Sequence, residues 1–223
     1  MTSFQRARRP EQMAARRVAI KTVAREMLAE KSVAEISLRE LSDRVGLAKS
    51  NVLRYYDSRE AIFLEVLDEE FVMWLSDVEE RLGRPRARKP AYANEIRVAT
   101  VIADSLLTRP LFGELLGSMA SVLERNISHD FARDFKARTM ARMASLAELV
   151  GRHLPWLPAE FTAFFAEGSL MLTAGGYPFS VPTEPVRAAI EQIGLPDPGQ
   201  RFGEGLRVGL QTWLIGAAAQ TNP

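Results

Sequence analysis

The sequence predicts an all-α protein in two parts, a three-helix head followed by a helical bundle, and three observations carry that prediction. Apolar residues recur at three- and four-residue spacing along most of the 223 residues, and no alternating run competes as a strand. Helix-start signals, Ser37 with Glu40 and Asp57 with Glu60, stand directly before such runs. Charge is also uneven: residues 1–56 hold 12 Lys/Arg against 6 Asp/Glu, so this end carries +6 and the remainder −5 within a total of +1. A basic head joined to an acidic body fits either a polyanionic partner for the head or an ordinary solvated helical surface, and charge by itself does not choose between them.

The first helix runs from Glu11 to Ala29, with Ile20, Val23, Ala24, Met27 and Leu28 on one face and Arg16, Arg17, Lys21 and Arg25 between them. Ser37 and Glu40 form a capping box that opens a short second helix ended by Gly46. Gly46 and Leu47 leave room only for a tight turn before AKSNVLRYY, a third helix of about two turns bounded by Asp57. A fourth helix, residues 58–82, carries Phe63, Leu67, Phe71, Trp74 and Val78 along one stripe and is long enough to bridge two domains. After the basic loop GRPRARKP, helices are expected at Ala91 to Leu107, Pro110 to Glu124, His129 to His153, Pro158 to Ala174 and Gln200 to Ala219. The Gly/Pro-rich stretch from Gly175 to Gly199 reads as a long loop holding one short helix, begun at Pro185. The domain division that follows is 1–57 and 58–223.

Composition narrows the function classes. With 47% hydrophobic and 26% charged residues the chain can bury a core and is not a disordered segment. The absence of Cys excludes disulfides, thiolate catalysis and cysteine zinc sites. No signal-peptide run opens the chain, and FTAFFAEGSLMLTAGG, interrupted by Glu167, falls short of the ~20 residues of a membrane span. These features describe a cytoplasmic protein without a membrane partner. His129, Asp130 and Asp134 are the material for an enzymatic alternative, but Arg133 stands where a second helical ligand would be needed, and phosphate loops and nucleophile elbows are missing. No catalytic residue, metal or cofactor is assigned. His153, before Leu154-Pro155, suits a helix C-terminus, where a partly protonated imidazole complements the dipole.

The helix, tight turn, helix spacing occurs in plain helical cores and also in DNA-binding pairs, whose second helix needs apolar residues on its inner side and short polar or basic residues outside. Leu47, Val52 and Tyr56 meet the first demand, and Lys49, Ser50, Asn51, Arg54 and Tyr55 the second. The segment SLRELSDRVGLAKSNVLRYYDSREAIFLEVL resembles the DNA-binding head of the TetR (tetracycline-repressor-like) family of transcriptional regulators. The resemblance spans Val18 to about Leu67 and rests on the capped second helix, Gly46, the Lys49-Ser50 start, the Tyr55-Tyr56 pair and Ser58-Arg59-Glu60. Leu53 departs from it where many members carry a phosphate-contacting Tyr, and Asn51 replaces the usual Thr or Gly.

The resemblance implies a head of residues 1–57 in which Ser37, Arg39, Tyr55 and Arg59 bind phosphates while Lys49, Ser50, Asn51 and Arg54 lie at the groove. Asn51 is the candidate reader, since Asn pairs bidentately with adenine. A tail of Arg6, Arg8 and Arg9 is available to a minor groove. The resemblance further implies a homodimer, a repressor on a palindromic operator in double-stranded DNA, and a small-molecule effector bound by residues 58–223 that shifts the spacing of the heads. For the dimer interface the expected residues are Phe164, Phe165, Met171, Gly205, Gly209, Thr212, Trp213 and Gly216, where small side chains allow close helix approach. For a lipophilic effector they are Phe112, Leu116, Met119, Met140, Met143, Trp156 and Phe161, with Glu167 as a polar anchor. The alternative reading is a helical small-molecule-binding or protein-interaction module without DNA binding.

Overall fold

The computed structural model describes residues 3–221, with side chains from 11 to 221, and among them there are helices and no strands. Ten α-helices follow in order: α1 Ser3–Leu28, α2 Leu38–Val45, α3 Lys49–Val52, α4 Arg59–Leu82, α5 Ala93–Leu107, α6 Pro110–Ser118, α7 His129–His153, α8 Ala159–Ser180, α9 Glu184–Gln192 and α10 Pro198–Gln220. A 3₁₀ turn, Val33–Glu35, precedes α2, and a π-helical turn, Met119–Leu123, follows α6. The backbone of Arg6, Arg8 and Arg9 belongs to α1, which starts eight residues before the expected Glu11; their side chains lie outside the described residues.

The chain forms two compact units, one made of residues up to Glu69 with Ser118–Lys136, the other of Glu70–Gly117 and the residues from Ala137 onward. The first has its core in Ile20, Ala24 and Met27 of α1, Val33 and Ile36 around the 3₁₀ turn, Leu41, Val52, Tyr56, and Ile62, Phe63 and Val66 of α4. Each large apolar side chain so buried contributes about 1.5–3 kcal/mol. Ser32 and Glu35 bond reciprocally and fix the 3₁₀ turn that aims Val33 and Ile36 inward, a feature that no helical periodicity announces. Around this core Glu69 takes Lys21 and Arg25, and Glu30 takes both terminal nitrogens of Arg44 at 2.6 Å.

The second unit is centred on Trp74, whose ring lies 5.6 Å from Phe71 and 5.5 Å from Phe112, with the indole N–H donating to Ser105 Oγ at 2.8 Å. Helix α10 lies against α5 and α8: Arg207 meets Asp104 at 2.5 Å and Gln211 donates to Thr100 at 2.9 Å. Glycine makes the α8–α10 contact possible. A Cβ on Gly168 would overlap the Trp213 ring, so α10 can sit this close only where α8 has no side chain.

Several boundaries differ from expectation for identifiable reasons. Helix α5 begins at Ala93, because Ala91 and Tyr92 adopt left-handed φ values of 55° and 59°. That conformation costs about 1–2 kcal/mol per residue, and the buried Asn94 amide offsets it by donating to the carbonyls of Arg86 and Ala87, both at 3.3 Å. Helix α6 stops at Ser118 and the π turn covers Met119–Leu123, where the periodicity alone predicts one continuous helix to Glu124. Helix α8 runs to Ser180, six residues past Ala174, carrying Gly175, Gly176 and Pro178 inside it. Its last turns persist because Gly176 admits the Phe202 ring, which a Cβ would meet at 2.6 Å.

His153 does end α7, but it is buried rather than solvated, and Arg97 Nη2 lies 3.3 Å from its Nδ1. Burial first, then the charges of Arg97, Arg152 and Arg86, lower its pKa against a weaker opposing pull from Glu79, so the imidazole is neutral and does not complement the helix dipole as expected. Since the unfolded imidazole takes its proton near the ordinary value of 6.5 and the folded one only below it, this site's contribution is full above about pH 6.5 and is lost as the pH falls through it. Equilibrium urea unfolding is therefore expected to show stability declining as the pH falls below about 6.5, with a flatter profile for His153→Gln.

Candidate functional site

The head presents one polar surface, and the local sequence explains how it is held. Ser37 is the N-cap of α2, its hydroxyl accepting the Glu40 N–H at 3.1 Å. Gly46 closes that helix at φ 74°, and the N–H of Leu47 reaches back to the Ser42 carbonyl at 3.0 Å. A residue with a Cβ would resist this left-handed turn, which sets the angle at which α3 leaves. Helix α3 itself is a single α-turn, Lys49–Val52. The chain continues coiling to Tyr56 through Tyr55 N–H to Val52 O at 2.9 Å and Tyr56 N–H to Val52 O at 3.2 Å, which together give the two turns expected.

Two residues of this segment are buried, Tyr55 is half-buried and the others are exposed. Val52 and Tyr56 are buried, whereas Lys49, Ser50, Asn51, Leu53 and Arg54 are exposed. The polar side chains of Lys49, Ser50, Asn51 and Arg54 have no hydrogen-bond partner among the described residues, so their donors and acceptors face solvent. Arg39 projects from the first turn of α2 with its guanidinium 89% exposed, 4.0 Å from Asp43. The Tyr55 ring is half-buried and its hydroxyl has no partner among the described residues.

Arg17 of α1 fixes the end of this segment, a role hidden in the sequence because its neighbours form an ordinary charged face. Its Nε and Nη2 donate to the Tyr55 carbonyl at 3.0 and 2.8 Å, its guanidinium lies 5.0 Å from the centre of the Tyr56 ring, and the Tyr56 hydroxyl donates back to the Arg17 carbonyl at 3.1 Å. Burial raises the Tyr56 pKa far above its ordinary value, so the phenol remains a donor. Arg59 differs from the other basic residues of the head. Its Nη1 donates to the Ile36 carbonyl at 2.5 Å, and its Nε and Nη2 donate to Glu60 Oε1 at 3.2 and 2.9 Å. The guanidinium is engaged within the head rather than turned to solvent.

The residues expected to line an effector site differ in burial and in bonding. Phe112 and Leu116 are buried in the second unit, while Met119 belongs to the first unit, Met140 is 63% exposed and Glu167 is exposed. Met143 and Phe161 are half-buried on α7 and α8, and Trp156 is tied up elsewhere, donating to Glu95 at 2.7 Å beneath Arg88. Helical spacing says which face of its own helix a side chain takes, but not that residues of different helices share a wall. An open apolar cavity of about 690 Å³ is bounded by the end of α8, by α9 and by the start of α10, and none of these residues lines it.

The residues expected at a dimer interface divide in the same way. Phe165 is buried, and it and Trp213 pack within the chain, their rings 6.1 Å apart, while a Cβ on Gly209 would meet Leu172 at 3.3 Å. Phe164, Met171, Gly205 and Thr212 are exposed, Gly216 is half-exposed, and Leu172 and Val208 extend the apolar part of the same faces. His129 and Asp130 are also exposed, and Asp130 and Asp134 both face Arg133, at 3.3 and 3.1 Å. No group of three or more His, Asp or Glu placed to hold a metal occurs among the described residues, and no described helix is long and apolar enough to cross a membrane.

Comparison with known proteins identifies both parts of the chain. Residues 20–66 match the family of bacterial regulatory proteins of the tetR type, and residues 68–221 match the tetracyclin repressor-like C-terminal domain. No curated protein matches the sequence. Among solved structures, the fatty acid degradation regulator FadR from Bacillus halodurans is 11% identical with a TM-score of 0.55, the match covering 90% of this chain and 95% of that one. The TetR family transcriptional regulator PfmR from Thermus thermophilus is 17% identical with a TM-score of 0.51, over 88% and 97%. A tetR-family regulator from Streptomyces coelicolor is 15% identical with a TM-score of 0.53, over 93% and 83%. At these identities the likeness is one of fold.

The two bonding patterns of Arg59 and Arg54 separate structure from surface. Arg59→Ala strips the partner from a buried Glu60 carboxylate and from the Ile36 carbonyl, and is expected to cost about 1–3 kcal/mol in chemical denaturation of the full chain. Arg54→Ala is expected to unfold with wild-type stability. Equal midpoints for Arg59→Ala and wild type would show that its guanidinium holds nothing in the head.

Proposed function

The chain belongs to the TetR (tetracycline-repressor-like) family of bacterial transcriptional regulators, and on that footing we propose that it is a one-component repressor. It binds a palindromic operator in double-stranded DNA as a homodimer and is released by a small lipophilic effector. The observation that carries the DNA reading is the row Lys49, Ser50, Asn51 and Arg54, exposed and without internal partners on a segment whose opposite face is buried. Groups in that state can exchange water for base edges and phosphates without breaking any internal bond. Residues 1–57 form the DNA-binding part in this reading and residues 58–223 the regulatory and dimerising part. The protein acts in the cytoplasm and needs no cofactor, metal or catalytic residue.

Roles within the head follow from bonding state. Lys49, Arg39 and Tyr55 contact phosphates, Ser50 and Arg54 lie at the groove, and Asn51 reads a base. Ser37 acts chiefly through its cap, which takes the Glu40 N–H and leaves those of Leu38 and Arg39 for a phosphate. Arg59 contributes by holding α4 to the segment that precedes α2. The homodimer is supported by the exposed apolar faces of α8 and α10, with Phe164 60%, Met171 65% and Val208 61% exposed in the single chain. A two-fold four-helix contact would cover them. Regulation requires only that the effector bind the DNA-competent and incompetent states unequally.

Selection from a randomised duplex library at near-physiological salt, with the mass of the protein recorded alongside, is expected to yield an enriched inverted repeat and a dimeric mass. Asn51→Ala is expected to relax preference at one position per half-site, removing about 1–3 kcal/mol of discrimination. Arg54→Ala is expected to lower affinity and to reduce the salt slope of log K by up to roughly 0.9 for each phosphate that the dimer no longer neutralises. A folded, effector-free protein that enriches no sequence would overturn the reading and leave the helical binding module in its place.

A further inference from the structure

We propose that the open cavity between the end of α8, α9 and the start of α10 is a binding site for an apolar monoanion, a medium-chain or aryl monocarboxylate. As an effector site it rests on the reading that residues 58–223 take a small ligand. As a binding site it stands on its own geometry, which lies wholly within the second unit.

Its volume of about 690 Å³ falls within the roughly 300–1,000 Å³ of small-molecule sites. The wall is aliphatic and aromatic, with Phe179, Val181, Val186, Ile190, Leu195 and Phe202 contributing to it. Four of these are left unusually bare for residues of their kind: Phe179 is 79% exposed, Val181 55%, Val186 49% and Leu195 48%. Helix α9 has no buried residue at all, although Val186 and Ile190 face the cavity at a four-residue spacing. An amphipathic helix whose apolar side meets only a cavity gains its packing when the cavity fills.

One charge stands in that wall. Arg201 is its sole charged residue and makes no ion pair among the described residues. The nearby acidic groups are otherwise engaged: Asp197 caps α10 by accepting the Gln200 N–H at 2.8 Å, Glu204 accepts from the Gln200 side chain at 3.0 Å, and Glu184 lies 3.8 Å from Arg187. A single guanidinium without an ion pair at the edge of an apolar hollow fits a ligand with one carboxylate and a hydrocarbon body, because the fork donates to two oxygens while the body covers the exposed side chains. A cationic amphiphile would meet like charge there, and a polyanion would find no second cation.

Isothermal titration of the full chain with decanoate, held below its micellar range, tests the site, with decan-1-ol as the uncharged control. Saturable binding of one decanoate per chain is expected, with decan-1-ol and the Arg201→Gln protein each weaker by roughly 10-fold or more. Ile190→Asp puts a carboxylate into the wall at a residue that supports no core packing, and is expected to abolish binding while circular dichroism and mass stay as in wild type. Absence of saturable binding overturns the site. So do equal affinities for acid and alcohol, or wild-type affinity in both variants, which would place the ligand elsewhere. If the hollow is covered by a second copy of the chain, Ile190→Asp will reduce the mass and the wild-type protein will ignore decanoate, which also overturns it. A protein that enriches an inverted repeat but fails these titrations removes this site alone. One that binds decanoate through Arg201 but enriches no DNA keeps the site and removes the reading of the head.

Discussion

A helix of one turn does not stand by itself, and the proposed reading surface is such a helix. Nucleating four residues costs more backbone entropy than their hydrogen bonds return, so α3 exists because its neighbours hold it. Val52 and Tyr56 bury its inner face, Gly46 sets its entry, and Arg17 closes its exit by donating twice to the Tyr55 carbonyl. That carbonyl is one of the groups a helix end leaves without a partner, and a cation there also complements the helix dipole. The return bond from the Tyr56 hydroxyl to the Arg17 carbonyl makes the link reciprocal. With both ends and one face tied, the outer side chains keep a common direction without bonding to the protein.

The second unit achieves its close contacts by the opposite device, removal of side chains. Three large rings sit over glycines: Trp213 over Gly168, Tyr177 over Gly113 and Phe202 over Gly176. A Cβ would come within 2.6 Å of ring carbon in each case, and overpacking of this kind typically costs about 1–3 kcal/mol. Two of the three glycines are on α8, so this helix receives α10 along its length. The inner faces of α8 and α10 thereby cover each other, which leaves Phe164, Met171 and Val208 on the outer faces and gives the proposed dimer contact its apolar surface.

The helical architecture and the order of elements were legible because they rest on local signals. Ser37 with Glu40 opened α2, Gly46 ended it, and Pro185 marked the start of α9 within one residue. Legibility failed where the deciding partner is distant in sequence. Gly176 and Pro178 look like breakers, yet α8 continues because Phe202, 26 residues beyond Gly176, fills the space that the missing Cβ leaves. Arg17 reads as one of several surface arginines, and only the fold brings it to a carbonyl 38 residues away. The same limit applied to binding residues. The exposed face of α3 followed from its own periodicity, but the indole bond of Trp156 to Glu95, 61 residues away, is a tertiary contact that periodicity does not encode.

The persistence of α8 past its glycines ties the cavity to the rest of the second unit. Had the helix ended at Ala174, Phe179 and Val181 would belong to a free loop, and α9 would have no wall to face. Because it runs to Ser180, the hollow is built on the ends of α8 and α10, the two helices whose outer faces carry the proposed dimer contact. A ligand there touches no residue of the Trp74 core. Its binding energy acts instead on how α9 and the start of α10 lie against α8. Under the proposed effector reading, ligand control would need no signal through the packed interior. It needs only that the two arrangements of the α8–α9–α10 end differ in affinity for the ligand, since a ligand shifts an equilibrium by its differential affinity and by nothing else.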